Sequence, residues 1–232
     1  MPISHRVPGL FITGTDTGVG KTYVGALIAR QLRAAGRRVG VYKPVASGCR
    51  RKGGKLISDD AQLLWEAAGQ PGRLERVCPQ CFQAPLAPHL AAQLEGRQLD
   101  EKLLRRGLDY WRRRSDIILV EGAGGLMSPL GENLYVADLA EEFAFPLIVV
   151  TRNVLGTINQ TLQTLITAAV FREGLSIAGI VLNHPQPPNA EDPSTRWNRP
   201  ELAGRCVPPI LAEVSWRAEG FDSAVDWVAL AR

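Results

Sequence analysis

The chain has 232 residues, 45% hydrophobic and 22% charged, enough for one α/β domain with a full core. Its formal charge of +4 comes from Lys and Arg scattered among acids, which suits anionic small molecules and excludes the dense basic stripe of a nucleic-acid binder. No apolar run approaches a membrane span and no signal-peptide core opens the chain, so a cytoplasmic protein without a membrane partner is expected.

Residues 1 to 8 read as a loose arm, and Leu10 to Thr13 as the first strand. Gly14 to Thr22 spell GTDTGVGKT, and Lys21 to about Ala35 carry a helical apolar stripe of Val24, Leu27, Ile28 and Leu32, stopped by Gly36. Strand, glycine-rich turn and helix in that order make a phosphate loop. The backbone N–H groups of Gly18, Val19 and Gly20 can surround phosphate oxygens at the helix N-terminus. Lys21 would reach the β- and γ-phosphates of ATP, and the Thr22 hydroxyl would ligate Mg²⁺. Thr15 stands where the standard pattern has its first glycine, one residue after Gly14.

Arg38 to Tyr42 read as the second strand, which delivers Lys43 and Ser47 to the carboxyl edge of a sheet, where ligands gather. Residues 49 to 57 are basic and glycine-rich, and a solvated mobile loop is the expectation. Ser58-Asp59-Asp60 opens a helix through Leu63, Leu64, Ala67 and Ala68 that Gly69 ends. Residues 70 to 99 read as irregular, with a short helix from Pro88 to Leu94, and His89 as a hydrogen-bonded structural histidine with substrate contact the alternative. Leu99 to about Arg114 read as one amphipathic helix with a solvated face of Arg105, Arg106, Arg112, Arg113 and Arg114.

Asp116 to Val120 form a buried-type strand that runs into Glu121-Gly122-Ala123-Gly124-Gly125. An acid at the end of an apolar strand downstream of a phosphate loop can hold Mg²⁺ and its waters. The following residues would turn N–H groups towards phosphate or a substrate carboxylate. Helices at Val136–Phe143, Thr157–Arg172 and Ala224–Leu230 alternate with strands at Leu147–Thr151, Ile177–Leu182 and Pro209–Val214. Residues 185 to 200 read as a loop outside the core. This alternation predicts a single-domain α/β fold, with a doubly wound, mostly parallel sheet covered by helices on both faces. Cys49, Cys78, Cys81 and Cys206 read as free thiols. Cys78-Pro-Gln-Cys81 has redox or metal spacing, but it is one pair with no second pair, so packed thiols are expected.

The motifs GTDTGVGKT, YKPVASG from Tyr42, DAQLL from Asp60, APLAPHLAA near His89, VEGAGGLMSPL from Val120, LGTIN from Leu155 and AEVSW from Ala212 resemble the dethiobiotin synthetase family across nearly the whole chain. The resemblance implies a P-loop-type fold and a homodimeric Mg²⁺- and ATP-dependent ligase. Its substrates would be 7,8-diaminononanoate and CO₂. Carried over residue by residue, Thr17 and Lys21 go to the phosphates, and Thr22, Asp60 and Glu121 to Mg²⁺. Lys43 goes to the carbamate and transferring phosphoryl group, and Ser47 to the diamine, with Gly122, Ala123 and Gly124 on the substrate. Asn183 and Glu213 match nucleoside contacts with Pro209 nearby, and Asn159 matches a contact to the substrate carboxylate across the dimer interface. Departures fall at Gly18 (Glu in some members), Gln160 (commonly His), Ala212 (Gly) and Ser215 (Pro).

Partitioning-type ATPase switches share this fold, but they carry a second, early lysine where the chain has Thr15 and Asp16. Relatives that amidate cobalamin precursors carry a glutaminase domain, for which 232 residues leave no room.

Overall fold

The computed structural model describes residues 7–187, 189 and 191–232. In chain order the elements are β1 (Gly9–Gly14), α1 (Lys21–Ala34), β2 (Val39–Tyr42), β3 (Arg50–Lys52), β4 (Lys55–Ile57), α2 (Asp59–Ala67), α3 (Leu74–Val77) and α4 (Pro88–Leu94). They continue with α5 (Glu101–Arg106), α6 (Leu108–Arg112), β5 (Ile117–Glu121), α7 (Val136–Phe143), β6 (Leu147–Arg152), α8 (Thr157–Val170), β7 (Ile177–Asn183), α9 (Thr195–Arg205), β8 (Ile210–Val214) and α10 (Trp227–Leu230).

Six strands form one sheet in the order β2-β5-β1-β6-β7-β8, every neighbouring pair parallel. Leu10, Phe11 and Ile12 of β1 are buried on both faces, as the near-continuous apolar runs of a covered parallel sheet require. β1 lies between β5 and β6, with Ile12 beside both Glu121 and Ile148. The loops that follow β1, β5 and β6 therefore leave the same carboxyl edge side by side. This sheet order is what assembles the site.

Several expectations change. Val7 and Pro8 are tied down rather than loose: Val7 packs against the core and the Ile118 N–H donates to the Pro8 carbonyl at 3.0 Å. The rest of the expected arm, residues 1–6, lies outside the described residues. Residues 50–57 form an antiparallel hairpin turned by Gly53 and Gly54, both at positive φ (55° and 80°), as a two-residue hairpin turn demands.

The single helix expected from Leu99 is two short ones. The Tyr42 hydroxyl donates towards the Leu103 and Leu104 carbonyls at 3.1 and 2.9 Å, intruding on the helical ladder where α5 gives way to α6. The proline-rich loop after residue 184 gives way at Thr195 to α9, anchored by buried Leu202 and by the Asn198 amide, which donates to Asn153 Oδ1 at 2.8 Å. Tertiary bonds there override a composition that reads as loop.

Candidate active site

The phosphate loop leaves β1 at Gly14, and its Thr15 N–H donates to the Val150 carbonyl on β6. Gly20 sits at φ 95°, and a Cβ there would lie 2.0 Å from Asn183 Nδ2. That amide instead donates to the Val19 carbonyl at 2.8 Å, so the last residue of β7 braces the loop just before α1 begins. Only glycine fits at position 20. Thr17 and Gly18 occupy the exposed loop tip, and Lys21 is buried at its base with Nζ donating to the Asp16 carbonyl at 2.9 Å. Burial pulls the Lys21 ammonium down to about 8.

Beside it lies a knot of charge. Lys43, the residue after β2, is buried with Nζ 2.5 Å from Glu121 Oε1 and 3.1 Å from Asp60 Oδ2. Thr22 Oγ1 donates to the same Glu121 oxygen at 3.0 Å. Burial opposes the Lys43 charge, yet Glu121 and Asp60 together hold its pKa above the usual lysine value. Asp60 is aimed by its helix: the Ser58 hydroxyl caps α2 by accepting from the Ala61 N–H at 3.2 Å.

Thr22, Asp60 and Glu121 supply a hydroxyl and two carboxylates, the hard oxygen donors that suit Mg²⁺. Glu121 Oε2 is buried and has no hydrogen-bond partner, so one donor is uncommitted. The set fits Mg²⁺. Among the described residues no group of three or more His, Cys, Asp and Glu is placed to hold a metal. An ion here would therefore draw on phosphate oxygens and waters as well, the usual pattern for Mg²⁺.

A cleft of about 560 Å³ opens from this knot, lined by Thr17, Lys43, Ser47, Asp60, Ala123 and Gly124. Gly124 has φ 78°, and a Cβ on it would meet Ser128 Oγ at 2.2 Å. That hydroxyl accepts from the Gly125 N–H at 2.8 Å and fixes the turn against the phosphate loop. Gly122 does not face the cleft, because it is buried and its N–H is spent on the Ile12 carbonyl at 3.0 Å. The facing wall is Pro85, Leu86, Ala87 and Pro88, with Ser128 and Pro129. His89, the candidate substrate contact in this proline-rich run, does not line the cleft, and its Nδ1 is buried without a hydrogen bond. The rigid run of prolines was the signal for this wall.

The proposed nucleoside residues divide. Asn183 and Glu213 end β7 and lie on β8, with Leu182 paired to Glu213 and Asn183 to Val214. The Glu213 carboxylate accepts from Asn153 Nδ2 at 2.8 Å and lies 2.5 Å from His184 Nε2. Pro209 precedes β8 and is bonded through its carbonyl to the Ile180 N–H, at the opposite end of the strand. At roughly 3.3 Å per residue that is over 10 Å from Glu213, so Pro209 is not near the loop. Asn159 is exposed in the first turn of α8 and does not line this chain's own cleft.

The model of the AAA domain family matches residues 8–219. A Rhodopirellula baltica protein named ATP-dependent dethiobiotin synthetase BioD is 41% identical over 215 residues, covering 88% of this chain and 82% of the relative. The chain belongs to the dethiobiotin synthetase family. Members of the same name from Anaeromyxobacter dehalogenans and Bacillus subtilis are 42% and 39% identical, covering 91% and 88% of this chain and 91% and 85% of their own. Membership makes the chain an enzyme of the ATP-dependent ligase type rather than a partitioning switch.

Among solved structures, the septum site-determining protein MinD of Pyrococcus horikoshii, complexed with Mg-ADP, aligns at TM-score 0.52 and 17% identity over 90% of this chain and 81% of that one. That likeness shows the fold, a P-loop-type α/β sheet. No helix among the described residues is long and apolar enough to cross a membrane.

Proposed function

We propose that this enzyme, working as one domain, joins CO₂ to 7,8-diaminononanoate and closes the ureido ring of dethiobiotin at the expense of ATP. One observation carries the reading: Lys43, Ser47, Ala123 and Gly124 line a single cleft with Thr17 of the phosphate loop. A small organic substrate and a terminal phosphate would meet there. One amine of the diamine takes up CO₂ and loses a proton, giving a carbamate. A carbamate oxygen attacks the γ-phosphorus and ADP leaves. The second amine attacks the carbon of the mixed anhydride, phosphate leaves and the ring closes.

The chain's part is binding, orientation and charge. N–H groups of Gly18, Val19 and Gly20 hold the phosphates with Thr17. Lys21 and Lys43 balance the charge that moves onto the leaving oxygens. Ser47 orients an amine, and Ala123 and Gly124 hold the substrate backbone. Thr22, Asp60 and Glu121 would hold Mg²⁺, which offsets charge on the β- and γ-phosphates. Asn183 and Glu213 would flank the nucleoside.

The second subunit of a homodimer would bring Asn159 to the substrate carboxylate. Supporting this, Leu155, Ile166 and Val170 are exposed on and beside the same helix, an apolar strip suited to a two-fold contact. Mass spectrometry of a reaction with ATP, bicarbonate and the diamine tests the reading. Dethiobiotin and one phosphate per ring are expected; ATP hydrolysis without a new ureido product would refute it.

A further inference from the structure

Three thiols meet behind the cleft. Cys78 follows α3, and its Sγ lies 3.6 Å from that of Cys81. Cys49 comes from the far side of the Ser47 turn, where its thiol donates to the Ala46 carbonyl at 3.5 Å. The approach of Cys49 could not be read from spacing, since 28 residues of the sequence lie between it and Cys78.

This cluster is stitched to the cleft by main-chain bonds. The Lys43 N–H donates to the Val77 carbonyl at 2.8 Å, and Ala46 N–H to Gln80 at 2.9 Å. Phe82 N–H donates to Ala46 and Cys49 N–H to Phe82, each at 2.9 Å. The turn from Cys78 to Cys81 therefore sets the backbone that presents Lys43, Ala46 and Ser47 to the cleft.

The two cysteines differ in chemistry. Cys78 is buried and Cys81 partly exposed, and both line a separate small cavity beneath the β3–β4 hairpin. The neighbouring thiols of Cys49 and Cys78 pull the Cys81 pKa down against burial. Cys78 is pushed the other way, by the neighbouring Cys81 sulfur and by burial. An accessible sulfur of thiolate character beside a second, buried thiol is the arrangement of a redox-responsive pair.

We propose that Cys78 and Cys81 form a reversible disulfide that weakens substrate binding in the cleft. The Cys81 thiolate attacks a low-molecular-weight disulfide such as oxidised glutathione, expelling one glutathione thiolate. Cys78 then loses its proton and attacks Cys81 Sγ, expelling the second. Two thiols are oxidised and one glutathione disulfide is reduced to two thiols, so electrons and protons balance. Closing the pair from 3.6 Å to a bond of about 2.05 Å must draw the turn inwards, and its bonds to Lys43 and Ala46 carry the movement to the cleft.

The test uses the full chain in glutathione redox buffers. Iodoacetamide should label Cys81 faster than Cys206, which is partly exposed and stands apart from the cluster. The labelling rate at Cys81 should hold as pH falls through 7, where an ordinary thiol loses about tenfold per unit. Peptide mapping should find a Cys78–Cys81 disulfide, while Cys78→Ser should stop at a glutathione adduct on Cys81. Oxidised protein should show a severalfold higher KM for the diamine, reversed by dithiothreitol, with reduced wild type and reduced Cys78→Ser alike. The KM arm rests on the function proposed above; labelling and mapping need no turnover and separate the two failures. Labelling of Cys81 no faster than Cys206, absence of the disulfide, or an unchanged KM in a protein proven oxidised would each overturn the proposal.

Discussion

Lys21 illustrates how one residue can serve function against stability. It is buried at the base of the phosphate loop, and burial works against its charge. Lys21→Ala should therefore abolish ATP turnover, by at least about a hundredfold in kcat, and leave the melting temperature unchanged or higher. Wild-type turnover in that variant would remove the loop from the chemistry. Asp60→Asn and Glu121→Gln should each raise the Mg²⁺ needed for half-maximal rate by about tenfold or more, since hard cations depend on charged oxygens. Asp59→Asn is the control: its carboxylate pairs with Arg50 on the surface, and the change should be near silent in an Mg²⁺ titration. These residues were legible because each sits at a fixed offset in a motif whose chemistry demands it. Pro209, placed near the nucleoside by the resemblance alone, misled because it stands before the amino end of β8, the end away from the phosphate loop.

An element is only as well aimed as its cap. Ser58 accepts the Ala61 N–H at the start of α2, and the same first turn carries Asp60. Ser58→Ala should cost about 1 kcal/mol and lower the melting temperature by roughly 2–4 °C for a chain of this size. It should also raise the Mg²⁺ requirement, with Ser58→Asn restoring most of both in a thermal melt and a metal titration. Elements with strong periodicity were legible, α7 from Val136 to Phe143 to the residue. Those decided by distant partners were not. The break between α5 and α6 depends on the Tyr42 hydroxyl from β2, and α9 depends on Asn153 and on the burial of Leu202. No local window contains those partners.

At the scale of the molecule, alternation of strands and helices predicted the parallel sheet, but not which strands flank β1. The order β2-β5-β1-β6-β7-β8 comes from crossovers that skip neighbours, and composition does not encode it. The proposed dimer can be tested at this scale. Asn159→Ala and Lys21→Ala proteins, each nearly inactive, should regain activity when subunits exchange, because one site of every mixed dimer has both intact halves. Random equal exchange sets a ceiling of about a quarter of wild-type activity per subunit. Exchange shown by native mass spectrometry without recovery would mean that Asn159 does not reach across.

The ammonium of Lys43, lodged between Asp60 and Glu121, dictates an order of loading. In the free protein a built-in cation already pairs with one oxygen of each acid, so a divalent ion arriving alone meets a berth whose charge is partly offset. An ion escorted by a nucleotide brings anionic oxygens of its own, and Lys43 gains somewhere else to point. Calorimetry should accordingly find weak binding of Mg²⁺ by itself and far tighter binding of Mg²⁺ together with ADP. Lys43→Met should narrow that gap by letting the bare ion in.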